Sequence, residues 1–192
     1  DPDSGFPDAQ DAYAPINAIA VHHYWSGKST VYAVPPPGWD SSTFDQTLKD
    51  LSDVVICENE DELLASFLMA IEDTDILCGW NSDLFDVPYI AQRLIKRSGT
   101  LGDGALCKLN FDEVPESSPP RFREFDKRFP GSMNMMKAYT VDLIGREKLD
   151  YLELFQKYEQ EKRPSYKLES IAEEVLPELP KLSFEGSLHD LY

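Results

Sequence analysis

The sequence predicts an α/β layered domain. Short apolar runs of strand length alternate with segments whose apolar residues recur at helical spacing, and two strand-like runs near the start are joined by a tight turn. The chain also has the means to bury a core. Of its 192 residues, 42% are hydrophobic and 11% aromatic, which an acidic disordered chain would lack.

Each element follows from local chemistry. Residues 16–25 mix β-branched, aromatic and small apolar side chains, Ser26-Gly27-Lys28 turns, and residues 29–34 repeat the pattern, so a hairpin is expected before Pro35-Pro36-Pro37-Gly38 stops it. Val54, Val55 and Ile56 form a short strand. Asn59 with Glu62 three residues later is a helix N-cap with a capping-box partner, and Leu63, Leu64, Phe67, Leu68 and Ile71 give one apolar face to a helix over about 60–71. A buried-type strand over 76–80 is followed by a helix from Val87-Pro88 to about Lys96, with proline in its first turn.

Residues 98–132, with glycines at 99, 102 and 104 and prolines at 115, 119, 120 and 130, are expected to form a long loop or insertion. Residues 139–144 read as a strand that turns at Gly145-Arg146. Residues 149–161 form an amphipathic helix with Tyr151, Leu154, Phe155 and Tyr158 on one face, ended by Pro164. Ser165 is expected to cap a last helix carrying Leu168, Ile171, Ala172 and Val175.

Charge and cysteine content narrow the function. With 18 basic and 35 acidic residues the net charge is −17, which opposes broad binding to a phosphate backbone, so any nucleic-acid site must be local. Cys57, Cys78 and Cys107 are odd in number and widely spaced, suggesting a reducing compartment, neither a disulfide framework nor a zinc site. No run approaches the ~20 apolar residues of a membrane span, and the acidic opening is unlike a signal peptide. A soluble, unsecreted chain without a membrane partner is expected.

The segment most informative for chemistry is Gly79-Trp80-Asn81-Ser82-Asp83-Leu84-Phe85-Asp86-Val87-Pro88-Tyr89-Ile90. Asp86 stands where an aspartate could cap the following helix, and Asn81 could serve a turn. Equally, a carboxylate at a strand-to-helix junction can offer its oxygens to a hard metal ion. Both roles can hold together. His22 and His23 fall on opposite faces of a strand and so do not suggest a shared metal, and His189 has no partner in view. Asp73 and Asp75 read as solvated turn carboxylates. The acidic run 58–62 reads as a solvated helix start that suits the helix dipole, and Met133, Met135 and Met136 as residues that pack at a loop base or hairpin, the alternative being contact with nucleic acid.

The segment around Asp86 resembles the second exonuclease motif of family B DNA polymerases, in which an Asn and a following Phe/Tyr-Asp pair precede a helix. Residues 149–158, LDYLELFQKY, are similar to another helix of that domain, and residues 164–172, PSYKLESIA, to a third, in the family's order. Lys181-Leu182-Ser183-Phe184-Glu185-Gly186 resembles a stretch in replicative polymerases of tailed phages. The resemblance covers most of residues 16–192 and is weakest over 98–132.

It implies a ribonuclease-H-like exonuclease fold, a mixed central sheet flanked by helices, with 1–192 forming one partial 3′-5′ exonuclease domain and a β-hairpin region near 133–148. The implied work is proofreading: hydrolysis of the primer-terminal phosphodiester of single-stranded DNA within a DNA-directed DNA polymerase. Two Mg²⁺ or Mn²⁺ ions, about 3.5–4 Å apart, would stabilise the attacking and leaving oxygens. Asp86 carries over as a metal ligand, Asn81 and Phe85 as its substrate-binding motif partners, and Lys181 as a cation near the scissile phosphate. The implied partners are the single-stranded 3′ end, primer-template DNA and the remaining polymerase domains, in the cytoplasm of a phage-infected bacterium.

Two family motifs are absent from these residues. No Asp-x-Glu occurs, and no tyrosine has an aspartate four positions later. In the family these motifs lie just outside the matched stretch, so a domain truncated at both ends and close to inactive by itself is expected. The rival from another class is a non-catalytic structural or protein-contact module with an exonuclease-like fold. A free-standing nuclease and an acidic DNA mimic are further alternatives, the latter leaving the ordered motif matches unexplained.

Overall fold

The computed structural model describes residues 8–38, 53–111, 114–115, 117–128, 133–159 and 163–177. Within them the chain is a mixed α/β structure. Strands β1 (Ala18–His23) and β2 (Lys28–Ala33) form the expected hairpin, antiparallel in the register Ala18↔Ala33 to His23↔Lys28. Strand β3 (Val54–Ile56) adds to β2 in parallel, making a mixed three-stranded sheet. On β1 the two histidines take opposite faces as alternation requires, and His22 Nδ1 lies 2.9 Å from Ser29 Oγ across the ladder.

Helix α1 (Glu60–Ala70) begins where its cap signal places it. The Glu62 N–H donates to Asn59 Oδ1 at 3.1 Å, while the Glu62 carboxylate returns one residue beyond the cap and accepts from the Glu58 N–H at 2.6 Å. Two otherwise orphaned donors are thereby satisfied. Leu63, Leu64, Phe67, Leu68 and Ile71 enter a core shared with Val87, Ile90, Ala91 and Leu94 of helix α2 (Asp86–Lys96) and with Val141. At the far end of α1 the buried Arg146 guanidinium donates to the carbonyls of Ile71 (2.7 Å), Glu72 (3.2 Å) and Leu109 (3.2 Å), placing a cation at the negative end of the helix dipole.

Strand β4 (Ile76–Gly79) runs straight into the loop before α2. Its partner is β7 (Glu147–Asp150), parallel, with Ile76↔Glu147 and Gly79↔Asp150 at the two ends of the register. The single mixed sheet expected above is therefore seen as three hydrogen-bonded sheets among the described residues: β1-β2-β3, β4-β7, and a two-stranded pair described next.

That pair corrects the expectation for residues 98–132. The stretch carries the one-turn helix α3 (Ser98–Leu101), a 3₁₀ turn (Leu106–Leu109) and the seven-residue strand β5 (Arg121–Lys127), antiparallel to β6 (Met136–Asp142). The charges of Arg-Phe-Arg-Glu-Phe-Asp-Lys hid the strand, because much of the strand faces solvent and cross-strand ion pairs take the place of apolar alternation. Arg123 meets Asp142 (Nη2 to Oδ1, 2.9 Å), and Lys137 meets Glu124 (3.3 Å) and Asp126 (3.2 Å). The hairpin accordingly spans β5 and β6 and is not contained in 133–148; β7, at the end of that region, pairs with β4 instead. Gly145, at φ +72°, makes the turn between β6 and β7, and a Cβ there would come within 2.9 Å of Phe111 Cβ.

The last two helices are shorter than their sequence patterns. Helix α4 (Tyr151–Tyr158) is capped by Asp150, whose carboxylate accepts from the Leu152 N–H at 2.9 Å, so Leu149 and Asp150 end a strand and do not open the helix. Helix α5 (Leu168–Val175) has Lys167 as its N-cap, without a side-chain capping bond. The expected cap, Ser165, instead accepts from the Lys167 N–H at 3.3 Å within the preceding turn. No described helix is long and apolar enough to cross a membrane.

Candidate functional site at the end of β4

The loop from β4 to α2 is unusually tight at its base. A Cβ on Gly79 would lie 2.6 Å from Ser82 Cβ, so only glycine lets the chain fold back this closely. Asn81 adopts φ +60°, a left-handed conformation that asparagine tolerates better than most residues. Its carbonyl accepts from the N–H groups of Leu84 (3.3 Å) and Phe85 (3.1 Å), and the Ser82 carbonyl accepts from Val87 (3.0 Å), which winds the loop into the start of α2.

Asp86 is the first residue of that helix, not its cap. Phe85 occupies the N-cap position, without a side-chain capping bond. The capping role considered for Asp86 is thus set aside, and its carboxyl is left exposed at the positive end of the α2 dipole. Crowding by the surrounding protein raises its pKa above the ordinary aspartate value, and the nearby Asp150 charge acts in the same direction, against a hydrogen bond from its own backbone. The residue nonetheless stays open to solvent, so an ion or a phosphate can approach it.

The other motif positions serve the frame. Phe85 stacks obliquely on Tyr89, centroids 5.5 Å apart, against the small cluster of Ala9, Ala12 and Ile16, and the Tyr89 hydroxyl donates to the Ala14 carbonyl at 2.7 Å. Asn81 contributes its backbone. Lys181 lies outside the described residues.

Three residues that sequence reasoning gave no role converge on the loop. Asp150, buried at 7% exposure, accepts from the N–H groups of Asn81 (2.9 Å) and Asp83 (3.2 Å) as well as from Leu152. Lys148 of β7 pairs with the Asp83 carboxylate, and Thr140 of β6 donates to the same oxygen at 2.7 Å and accepts from Lys148 at 2.9 Å. An Asp just before an amphipathic helix is a cap signal that could have singled out Asp150. Nothing local in the sequence marks the other two.

Among the described residues no three His, Cys, Asp or Glu side chains gather as a metal site. Asp150 spends its oxygens on three N–H donors, which leaves Asp86 as the open carboxylate. A divalent ion takes six or more oxygen ligands in its shell, so the described residues do not by themselves fit a pair of ions.

Comparison with known proteins shows the family. A family model described as DNA polymerase family B, exonuclease domain, matches residues 2–171. The chain is 29% identical to the DNA-directed DNA polymerase of Escherichia phage RB69 and 27% identical to that of Enterobacteria phage T4, with 97% of this chain aligned in each case. It spans about a fifth (21%) of the length of these relatives.

Proposed function

This chain belongs to the exonuclease-domain family of the family B DNA polymerases, and from that premise we propose that it contributes the 3′-5′ proofreading exonuclease of a DNA-directed DNA polymerase. The substrate would be the single-stranded 3′ end of a primer, and the reaction hydrolysis of its terminal phosphodiester. The observation that carries the reading is Asp86: an exposed carboxylate that leaves the N-cap position to Phe85, held at the end of β4 in the family's Asn-x-x-x-Phe-Asp pattern. Asp86 would supply one ligand position for divalent metal, with the others coming from residues outside those described. Metal, when bound, would activate water and offset developing phosphate charge.

The mixed β1-β2-β3 sheet and the parallel β4-β7 pair, each with helices nearby in sequence, are the features that support a ribonuclease-H-like arrangement. Asn81 and Phe85 would shape the wall that receives the terminal nucleotide, and Lys181 would stand near the scissile phosphate. Aromatic stacking on frayed bases suits an acidic domain, because it needs no broad basic surface. The remaining polymerase domains and primer-template DNA are the partners this reading implies.

The test is digestion of a 5′-labelled single-stranded oligonucleotide with Mg²⁺ by the full-length polymerase carrying this chain, as wild type and as D86A. Stepwise shortening from the 3′ end, lost in D86A while DNA synthesis continues, is the expected result. Wild-type protein that synthesises DNA but never shortens the oligonucleotide would favour a non-catalytic module of the same fold.

A further inference from the structure

We propose that Asp150 is a positioning residue for Asp86: its buried carboxylate ties the loop between β4 and α2 to the end of β7 and so sets where Asp86 stands. This inference rests on the exonuclease reading of the site. An aspartate needed only to cap α4 would use one acceptor bond, and the Leu152 N–H provides it. The other two bonds go to Asn81 and Asp83, which are 69 and 67 residues away in sequence. They are charge-assisted bonds made out of water, the stronger kind.

The loop they hold requires holding. Asn81 sits at φ +60°, and a non-glycine residue there persists only where its surroundings over-determine it. The Asp83 side chain is held by Lys148 and Thr140, so the same turn is fixed through both backbone and side chain. From there the Asn81 carbonyl bonds to the Phe85 N–H and the Ser82 carbonyl to the Val87 N–H, and these bracket Asp86. A shift of the Asp150 carboxylate would thus reach Asp86 through two short hydrogen-bonded steps.

Serine separates the two roles of Asp150, because it caps a helix as well as aspartate does but has one oxygen on a shorter arm. In the full-length polymerase, D150S should leave hydrogen exchange across α4 within about twofold of wild type and speed exchange of the 79–86 peptide about tenfold or more. On single-stranded oligonucleotide it should lower kcat by about tenfold or more, with KM little changed. N59A, which removes the α1 cap, reports the effect of a purely structural loss. D150N keeps one acceptor oxygen and should fall between D150S and wild type; it carries the same comparison should D150S not fold. Unchanged protection of 79–86, or a fall in kcat no larger than that of N59A, would overturn the proposal. Wild-type enzyme without 3′-end removal would instead sink the exonuclease reading, while the exchange comparison still decides the tie.

Discussion

Arg93 of α2 and Glu60 at the first turn of α1 form a buried, two-bond pair: Arg93 Nε donates to Glu60 Oε1 at 2.7 Å and Nη2 donates to Oε2. Both are under a tenth exposed. The pair also organises the entry of the chain, since Glu60 Oε1 accepts from the Ile16 N–H at 2.8 Å and Arg93 Nη1 donates to the Ala12 carbonyl at 3.1 Å. Replacing Arg93 with methionine leaves a buried carboxylate without its cation and is expected to cost about 3–5 kcal/mol. Adding Glu60→Leu should recover only part of this, because the Ile16 N–H and Ala12 carbonyl then lose their partners. Chemical denaturation of the two variants checks both statements, and full recovery would mean the backbone bonds count for nothing.

Gly79 makes a second prediction through shape alone. A methyl group there would overlap Ser82 Cβ, which is fixed to the backbone and cannot swing away. Gly79→Ala should therefore destabilise by about 1–3 kcal/mol, and Ser82→Gly in the same chain should restore much of the loss. A thermal melt in which the double variant is no better than Gly79→Ala would show that the close approach is not the cause.

Asp86 should be nearly silent in stability. Phe85 holds the N-cap position, so Asp86→Ala is expected to change unfolding free energy by no more than about 0.5 kcal/mol, below the ~1 kcal/mol typical of a lost cap. The same variant should remove 3′-end degradation from the full-length enzyme. A large drop in Tm beside retained digestion would reverse the assignment.

Acid should weaken the link between Asp61 and Arg97. Hydrogen bonds from Arg97, with Nε donating to Oδ1 at 2.5 Å, hold the Asp61 carboxyl below the ordinary aspartate range. A depressed folded-state pKa gives stability that is present above the unfolded value, near 3.9, and lost as pH falls through the folded value. Asp61→Asn should thus melt below wild type at pH 7, with the gap closing as pH drops beneath about 4. A gap that stays constant with pH would sever the effect from ionisation.

These outcomes separate what local sequence encodes from what it does not. The Asn59 cap and the apolar spacing of α1, the hairpin at Gly27, and the winding of residues 81–87 into α2 rest on bonds between near neighbours, and residue order specifies such bonds directly. The motif order of residues 79–90, 149–158 and 164–172 was equally legible, and it led to the family that the comparisons show. Strand β5 was missed because its partner β6, not its own composition, makes it a strand. The caps expected at Asp86 and Ser165 moved to Phe85 and Lys167, and the helix expected from Leu149 begins only after Asp150, because β7 pairs with β4 up to that residue.

The sequence by itself therefore determined the α/β class, the principal helix faces and the candidate carboxylate Asp86. Only the tertiary structure decided how that carboxylate is held. Asp150, Lys148 and Thr140 reach the Asn81–Asp83 turn from 57 to 69 residues away. The parallel register that sets Gly79 opposite Asp150 brings Asp150 and Lys148 there, and Thr140 comes from β6, a strand of another sheet. Spacing along a chain fixes helical and strand periodicity, but a distant partner is chosen by strand order and register, which depend on the whole fold at once.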